Sequence, residues 1–272
     1  MKPVAFDYER PADLAGAAAL ARREDIAVKF IAGGQSLGPM LNLRLVQPDL
    51  LVDLTGLAEL KRVELTAEAL IVGACVTHAD IEDGRVPDIG GGVLRALAAG
   101  IAYRAVRNRG TIGGSICHAD PAADWLACLA ALGAAVTITD GATWRVAAIE
   151  DFVTGVFETA LRPGELVEAI RIPRLSPGAR WGFYKVCRKT GEFGHAIGAV
   201  LHDPERSVCR AVIGATAPKP IVWADAGALF GGAADLNARA SEALQKAGVA
   251  DPIERQIRIV ALRRAAAQAG LA

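Results

Sequence analysis

Two glycine pairs set among hydroxyl and amide side chains are the residues best able to do chemistry: Ala32-Gly33-Gly34-Gln35-Ser36 and Thr111-Ile112-Gly113-Gly114-Ser115. Adjacent glycines leave consecutive backbone N–H groups open to a ligand, and concavities of that kind hold pyrophosphate oxygens. Ser36, Thr111 and Ser115 add hydroxyl donors, and Asp124, shortly after the second pair, has the chemistry to accept hydrogen bonds from ribose hydroxyls. Each feature alone has a plainer reading, since a Gly-Gly pair is ordinarily a tight turn and an aspartate at a helix start is ordinarily a cap. Two pairs, each flanked by hydroxyl residues, favour the anion-binding reading.

Other chemistries find less support. The chain has no GxGxxG after a strand, no GxxxxGK[ST], no HExxH and no GxSxG elbow. His118 and Asp120 make a poor metal pair without further His or Cys nearby, and they fit a polar turn beside a nucleotide. The five cysteines (Cys75, Cys117, Cys128, Cys187 and Cys209) are isolated, so no iron–sulfur cluster or other metal is expected on this chain. Cys117 and Cys128 read as small buried hydrophobes. Arg104, Arg107 and Arg109 form a basic run that either faces solvent or a partner, or touches the ligand.

The elements that must position these residues follow from apolar patterning. Strand 5–8, a helix over 11–22 and strands 28–32 and 50–54 make a first small mixed or parallel α/β unit, with a Gly/Pro-interrupted connection over 37–48. A strand at 69–73, a capping-box-like helix start at Thr77-His78-Ala79-Asp80, a helix over about 93–99, an apolar helix that follows 120–124 and runs to about 132, a hairpin over 136–147 and a strand at 167–172 make a second. After the Pro/Gly-containing stretch 175–178, three strands at 181–187, 196–201 and 208–215 precede a helical layer over 220–272. The domains expected are 1–174, with subdomains of about 1–58 and 59–174, and 175–272.

Composition bounds the partners. A chain of 272 residues buries enough surface to fold without disulfides or metals, and 30 basic residues balanced by 30 acidic ones exclude the basic footprint of a nucleic-acid binder. The first residues lack the succession of a signal peptide and no apolar run approaches a membrane span, which predicts a soluble, reduced, cytoplasmic protein.

AGGQSLGPMLNLRL at 32–45 and VRNRGTIGGSICHADPAADW at 106–125 together resemble the FAD-binding medium subunit of molybdenum hydroxylases of the carbon monoxide dehydrogenase and xanthine dehydrogenase type. GFYKVCRKTGEF at 182–193 and the arginine-rich C-terminal helix with Leu262-Arg263-Arg264-Ala265 extend the similarity over nearly the whole chain. The resemblance implies an α+β protein: a p-cresol-methylhydroxylase-like FAD-binding fold of two α/β subdomains, plus a small C-terminal antiparallel sheet with helices. It implies that Ala32, Gly33, Gly34, Gln35 and Ser36 wrap the pyrophosphate, that Thr111, Ile112, Gly113, Gly114 and Ser115 form a second clamp, and that Asp124 binds ribose. It places Lys185, the backbone of Glu168 and Phe193 near the isoalloxazine.

Departures stand at Gln35, Asn42, Ser115 and Glu192, where relatives commonly carry His, Lys, Asn and Asp; Gln35 and Glu192 bear on the flavin potential. The implied role is electron transfer, from [2Fe-2S] clusters of a small partner subunit through FAD to a terminal acceptor, with molybdopterin on a large partner and a dimer of heterotrimers as the assembly. No catalytic acid, base or nucleophile is then needed here. The alternative is a stand-alone FAD-dependent oxidase or dehydrogenase with a base among Glu192, Tyr184 and His195; a nucleotide-binding module without flavin chemistry is a third reading.

Overall fold

The computed structural model describes residues 2–271, so Met1 and Ala272, the outermost ends of the expected domains, lie outside the described residues. Strand β1 (Asp7–Glu9), helix α1 (Leu14–Ala21), β2 (Val28–Ile31), α2 (Leu37–Asn42) and β3 (Leu50–Asp53) form the first unit. Its sheet is wholly parallel, in the order β1-β3-β2. Helix α1 begins at Leu14 rather than Pro11 because Asp13 is extended and its carboxylate accepts from Gly16 N at 2.7 Å, an N-cap. Helix α2 lies in the stretch expected to be irregular; Pro39 is tolerated there because the first turn of a helix has no intrahelical partners for its amides.

The second unit contains β4 (Val63–Leu65), β5 (Ala69–Gly73), α3 (His78–Glu82), α4 (Val93–Ala99), α5 (Arg104–Arg107), α6 (Ile112–His118) and α7 (Asp124–Leu132). It continues through β6 (Ala135–Thr139), β7 (Trp144–Ala148), α8 (Ile149–Phe152), the ribbon β8 (Val153–Gly155) and β9 (Glu158–Thr159), and β10 (Leu166–Pro173). Its antiparallel sheet runs β4-β5-β10-β6-β7, with β10 central although it comes last in the chain. Thr77 and Asp80 form the full reciprocal capping box of α3. Helix α7 is buried along its whole length, and its alanines, cysteine and leucines let it lie among three layers without a polar face.

The third unit is β11 (Arg180–Val186), β12 (Ala196–Asp203), β13 (Val208–Gly214), β14 (Ile221–Trp223), α9 (Ala233–Lys246) and α10 (Pro252–Gln268). The expected helical layer over 220–272 is thus corrected at its start: residues 221–223 add a fourth antiparallel strand to β13, and the long helices begin at Ala233. One face of this sheet joins the main core through Ile197, Ala199, Leu201 and Val212, and the other packs on α10. Close approach of α10 depends on glycine. A Cβ on Gly182 would lie 1.9 Å from Ala265 O, and one on Gly198 would lie 2.4 Å from Ala261 O.

Candidate functional site

A cleft of about 630 Å³ opens where the three units meet. Its walls come from the end of β2 and the following turn, from the segment before and within α6, from the start of α7, from β10, and from the turn after β11. That volume is within the range of small-molecule sites, roughly 300–1,000 Å³. Of the residues expected at a site, Ala32, Gly33, Gly34, Gln35, Ser36, Thr111, Gly113, Gly114, Ser115, Asp124 and Phe193 line it. Ile112, Glu168 and Lys185 do not.

The two glycine segments are built differently. At the first, Gly34 adopts a positive φ of 72° that lets the chain turn from β2 into α2. The backbone amides of Gly34, Gln35 and Ser36 donate to no acceptor among the described residues, so this turn presents free donors to the cleft. Gly33 serves packing: a Cβ there would fall 2.0 Å from Arg109 O, so the two segments abut backbone to backbone.

The second segment is not an open turn but the first turn of α6, capped by Thr111, whose hydroxyl accepts from Gly114 N at 3.0 Å. Three of its other amides are taken as well, Ile112 N by Val76 O, Gly113 N by Ala74 O and Ser115 N by Thr111 O, and Thr111 N alone donates to no acceptor among the described residues. The expectation of consecutive free amides at this pair is therefore corrected. Gly113 is needed because a Cβ would lie 2.4 Å from that of Ala74, and what the segment offers the cleft is close approach and the hydroxyls of Thr111 and Ser115.

At the start of α7, Asp124 is buried and paired with Lys185, Oδ2 to Nζ at 2.9 Å, while Lys185 also donates to Gly100 O at 3.2 Å. Burial pushes the Asp124 carboxyl above its ordinary range against the pull of Lys185. Its Oδ1 has no hydrogen-bond partner among the described residues. A buried, half-satisfied carboxylate on the wall of a cleft is an acceptor waiting for a donor such as a sugar hydroxyl. Glu168 lies at a bulge of β10; its carbonyl accepts from Ala74 N at 2.9 Å and its carboxylate turns toward Arg62, while its neighbours Leu166 and Val167 form cleft wall. Ile112 is wholly buried beneath the cleft.

Remaining wall residues include Ile101, Val106, Leu161, Leu166, Val167 and, at the rim, the exposed Phe193, an apolar surface suited to a flat ring. His118 and Asp120 also line the cleft, His118 packed against Phe157 with ring centroids 5.0 Å apart and planes tilted by 36°. The arginine run faces away from the ligand in part: Arg104 and Arg107 pair with Glu82 and Asp83 of the α3 region. Sequence reasoning missed Lys29, His78, Cys75 and, beside the expected Glu168 of β10, Leu166 and Val167. Lys29 was hidden in a short strand and His78 in a helix cap. Cys75 and Cys117 line the cleft, but burial raises both thiols to about 12, which keeps them protonated and unreactive.

Of the three bases weighed for a stand-alone oxidase, only Glu192 lines the cleft, and it is paired with Arg188 at 3.3 Å. Tyr184 is held under Arg264 and His195 is exposed outside the cleft wall. Free amides on one turn, an unsatisfied buried carboxylate and an apolar wall fit FAD, and three sheets closing on such a groove define a flavin-carrying protein.

The comparisons agree. Residues 4–175 match the family described as the FAD binding domain in molybdopterin dehydrogenase. The caffeine dehydrogenase subunit beta of a Pseudomonas species is 36% identical over 206 residues, 75% of this chain and 70% of that one. The carbon monoxide dehydrogenase medium chain of Afipia carboxidovorans is 35% identical over 242 residues, 86% of this chain and 82% of that one. The crystal structure of the Cu,Mo-CO dehydrogenase in its cyanide-inactivated form has a chain that superposes with a TM-score of 0.85 at 30% identity, covering 100% of both. The chain belongs to this family, as an FAD-binding medium subunit of the multi-subunit molybdenum hydroxylases.

Proposed function

We propose that the cleft holds FAD with its pyrophosphate against the free amides of Gly34, Gln35 and Ser36, and that the chain relays electrons from [2Fe-2S] clusters of a small subunit to a terminal acceptor. The observation that carries this reading is the division of one cleft into a turn with unpaired donors and an apolar wall ending at Phe193. FAD, when bound, takes electrons singly from iron–sulfur donors and hands them on singly or in pairs.

The chain's own residues then bind and orient. Ala32 and Gly33 keep the first segment against the second. Thr111, Gly113, Gly114 and Ser115 let the dinucleotide approach α6, with Ile112 anchoring that turn from below. Asp124 accepts from the ribose through its unpaired Oδ1, and Lys185 fixes the orientation of that carboxylate. Glu168 positions the β10 wall through its backbone, and Phe193 covers the ring at the rim.

We read residues 1–58, 59–174 and 175–272 as the two subdomains and the C-terminal domain. The assembly proposed is a dimer of heterotrimers in the cytoplasm, with molybdopterin on the large subunit; no helix among the described residues is long and apolar enough to cross a membrane. Relatives named for caffeine and for carbon monoxide are 36% and 35% identical to this chain although their named substrates differ, which supports placing substrate choice on the large subunit. The test is to purify a tagged chain from its source, record the visible spectrum and identify co-purifying polypeptides. Flavin with a molybdenum protein and an iron–sulfur protein is expected; flavin alone, with turnover of a small substrate by this chain, overturns the relay and leaves Glu192 as the base to examine.

A further inference from the structure

His78 is buried, yet it lines the cleft at the foot of α3. Its Nδ1 accepts a hydrogen bond from Nε1 of Trp125, 3.2 Å away, and Trp125 is itself fully buried at the start of α7. An indole nitrogen can only donate, so Nδ1 presents its lone pair and the ring proton sits on Nε2. Burial, aided by nearby Arg107, lowers this imidazole to about 4 and keeps it uncharged. Were the pair simply a core contact, both ring nitrogens would be expected to have partners. Nε2 has no partner among the described residues, and unlike the fully buried unpartnered atoms it keeps some exposed surface.

The ring is also placed next to a segment short of donors. The backbone N–H of His78 donates to Gly110 O at 2.9 Å, and a bridge joins Thr77 to Thr111. A Cβ on Gly110 would come within 3.1 Å of His78 Nε2, so Gly110 leaves that nitrogen its space. The amides of Ile112, Gly113, Gly114 and Ser115 are all engaged within the protein. Thr111 N is the one backbone donor from Gly110 to Ser115 without an acceptor among the described residues, so a ligand oxygen alongside this segment draws its further hydrogen bonds from side chains.

We infer that His78 is a cofactor-binding residue: its Nε2–H, aimed by Trp125, donates a hydrogen bond to an oxygen of the dinucleotide where it passes the Gly110–Gly114 segment. The inference rests on the cleft being the FAD site. It adds a neutral donor fixed in direction to the charged and hydroxyl groups already described.

The test titrates FAD into the full chain, followed by flavin fluorescence, for the unaltered protein, His78→Gln and His78→Phe. Glutamine can return an N–H near the Nε2 position, and phenylalanine cannot. One neutral hydrogen bond implies about tenfold weaker binding for His78→Phe and less than about threefold for His78→Gln. Because a buried substitution can disturb folding, ¹⁵N NMR of the histidine rings in the unaltered chain supplies a second reading. The expected result is a His78 protonated on Nε2 whose Nε2 resonance moves on adding FAD. Equal affinity of His78→Phe and the unaltered chain, or an Nε2 resonance indifferent to FAD, overturns the assignment. Failure of the unaltered chain to bind FAD at all overturns the cofactor reading, and this one with it.

Discussion

Asp124 and Lys185 come from α7 and β11, far apart in sequence, and each side chain is about a tenth exposed, so their charges face each other across a nearly dry contact. Removing one member of such a pair costs more than the pair is worth, because the other is left as an unpaired buried charge. Lys185→Met is expected to lose about 3 kcal/mol in urea unfolding at neutral pH, and adding Asp124→Asn to recover most of it. The pH dependence has a definite sign. A carboxyl whose folded value is raised binds its proton more tightly in the native state than in the unfolded one, so acid favours the fold through this group. The defect of Lys185→Met should therefore shrink as pH falls through the raised range of Asp124; a constant or growing defect would contradict the account. Asp124 could be singled out as a wall residue of the cleft from its place after the glycine pair. The lysine's role as its counter-charge could not be, because nothing in the sequence brings β11 to the start of α7.

Among the elements, α6 shows where glycine patterns mislead. RGTIGGS reads as an open turn, and Thr111 in fact starts a helix whose glycines are demanded by close neighbours, Ala74 for Gly113 and the Thr111 hydroxyl for Gly114, rather than by φ. The signal lay in Thr111 as an N-cap, but its weight depends on Ala74 and Val76 accepting from the next two amides, which is tertiary information. Gly113→Ala should separate α6 from the strand end at Ala74, destabilise the chain by about 2 kcal/mol or more, and abolish FAD binding with it. Gly38→Ala is the control. Gly38 lies inside α2 with nothing beyond its chain neighbours within 4 Å of its missing Cβ, but it precedes Pro39, which disfavours helical backbone for a residue with a Cβ, so the two effects offset and the change should leave stability within about 0.5 kcal/mol of the parent. Thermal melts of the two variants without ligand give the comparison, and a Gly113→Ala protein as stable as the parent would remove the packing argument. The α3 capping box, by contrast, was legible because both of its members lie within four residues of each other.

At the level of the whole molecule, the strands and the long helices were largely readable because each carries its own apolar period. The order β4-β5-β10-β6-β7 and the late fourth strand at 221–223 were not, since pairing partners and a three-residue edge strand have no local signature. The cleft belongs to this second kind of information: its wall draws on Lys29 to Leu54 of the first unit, Ala74 to Val167 of the second and Gly191 to Phe193 of the third. A ligand touching all three units binds only when they are assembled, so its binding energy adds to the stability of the whole chain rather than of one part. With free FAD at 100 times its dissociation constant the gain is about 2.7 kcal/mol, and for a chain of this size that raises Tm by roughly 5–11 °C. The three units should then melt together, with tryptophan fluorescence reporting Trp181 of β11 and Trp125 of α7 at the same temperature as far-UV circular dichroism. A third unit melting at its own temperature, unmoved by FAD, would mean that the turn carrying Phe193 contributes nothing to holding the cofactor, and the site would shrink to the first two units.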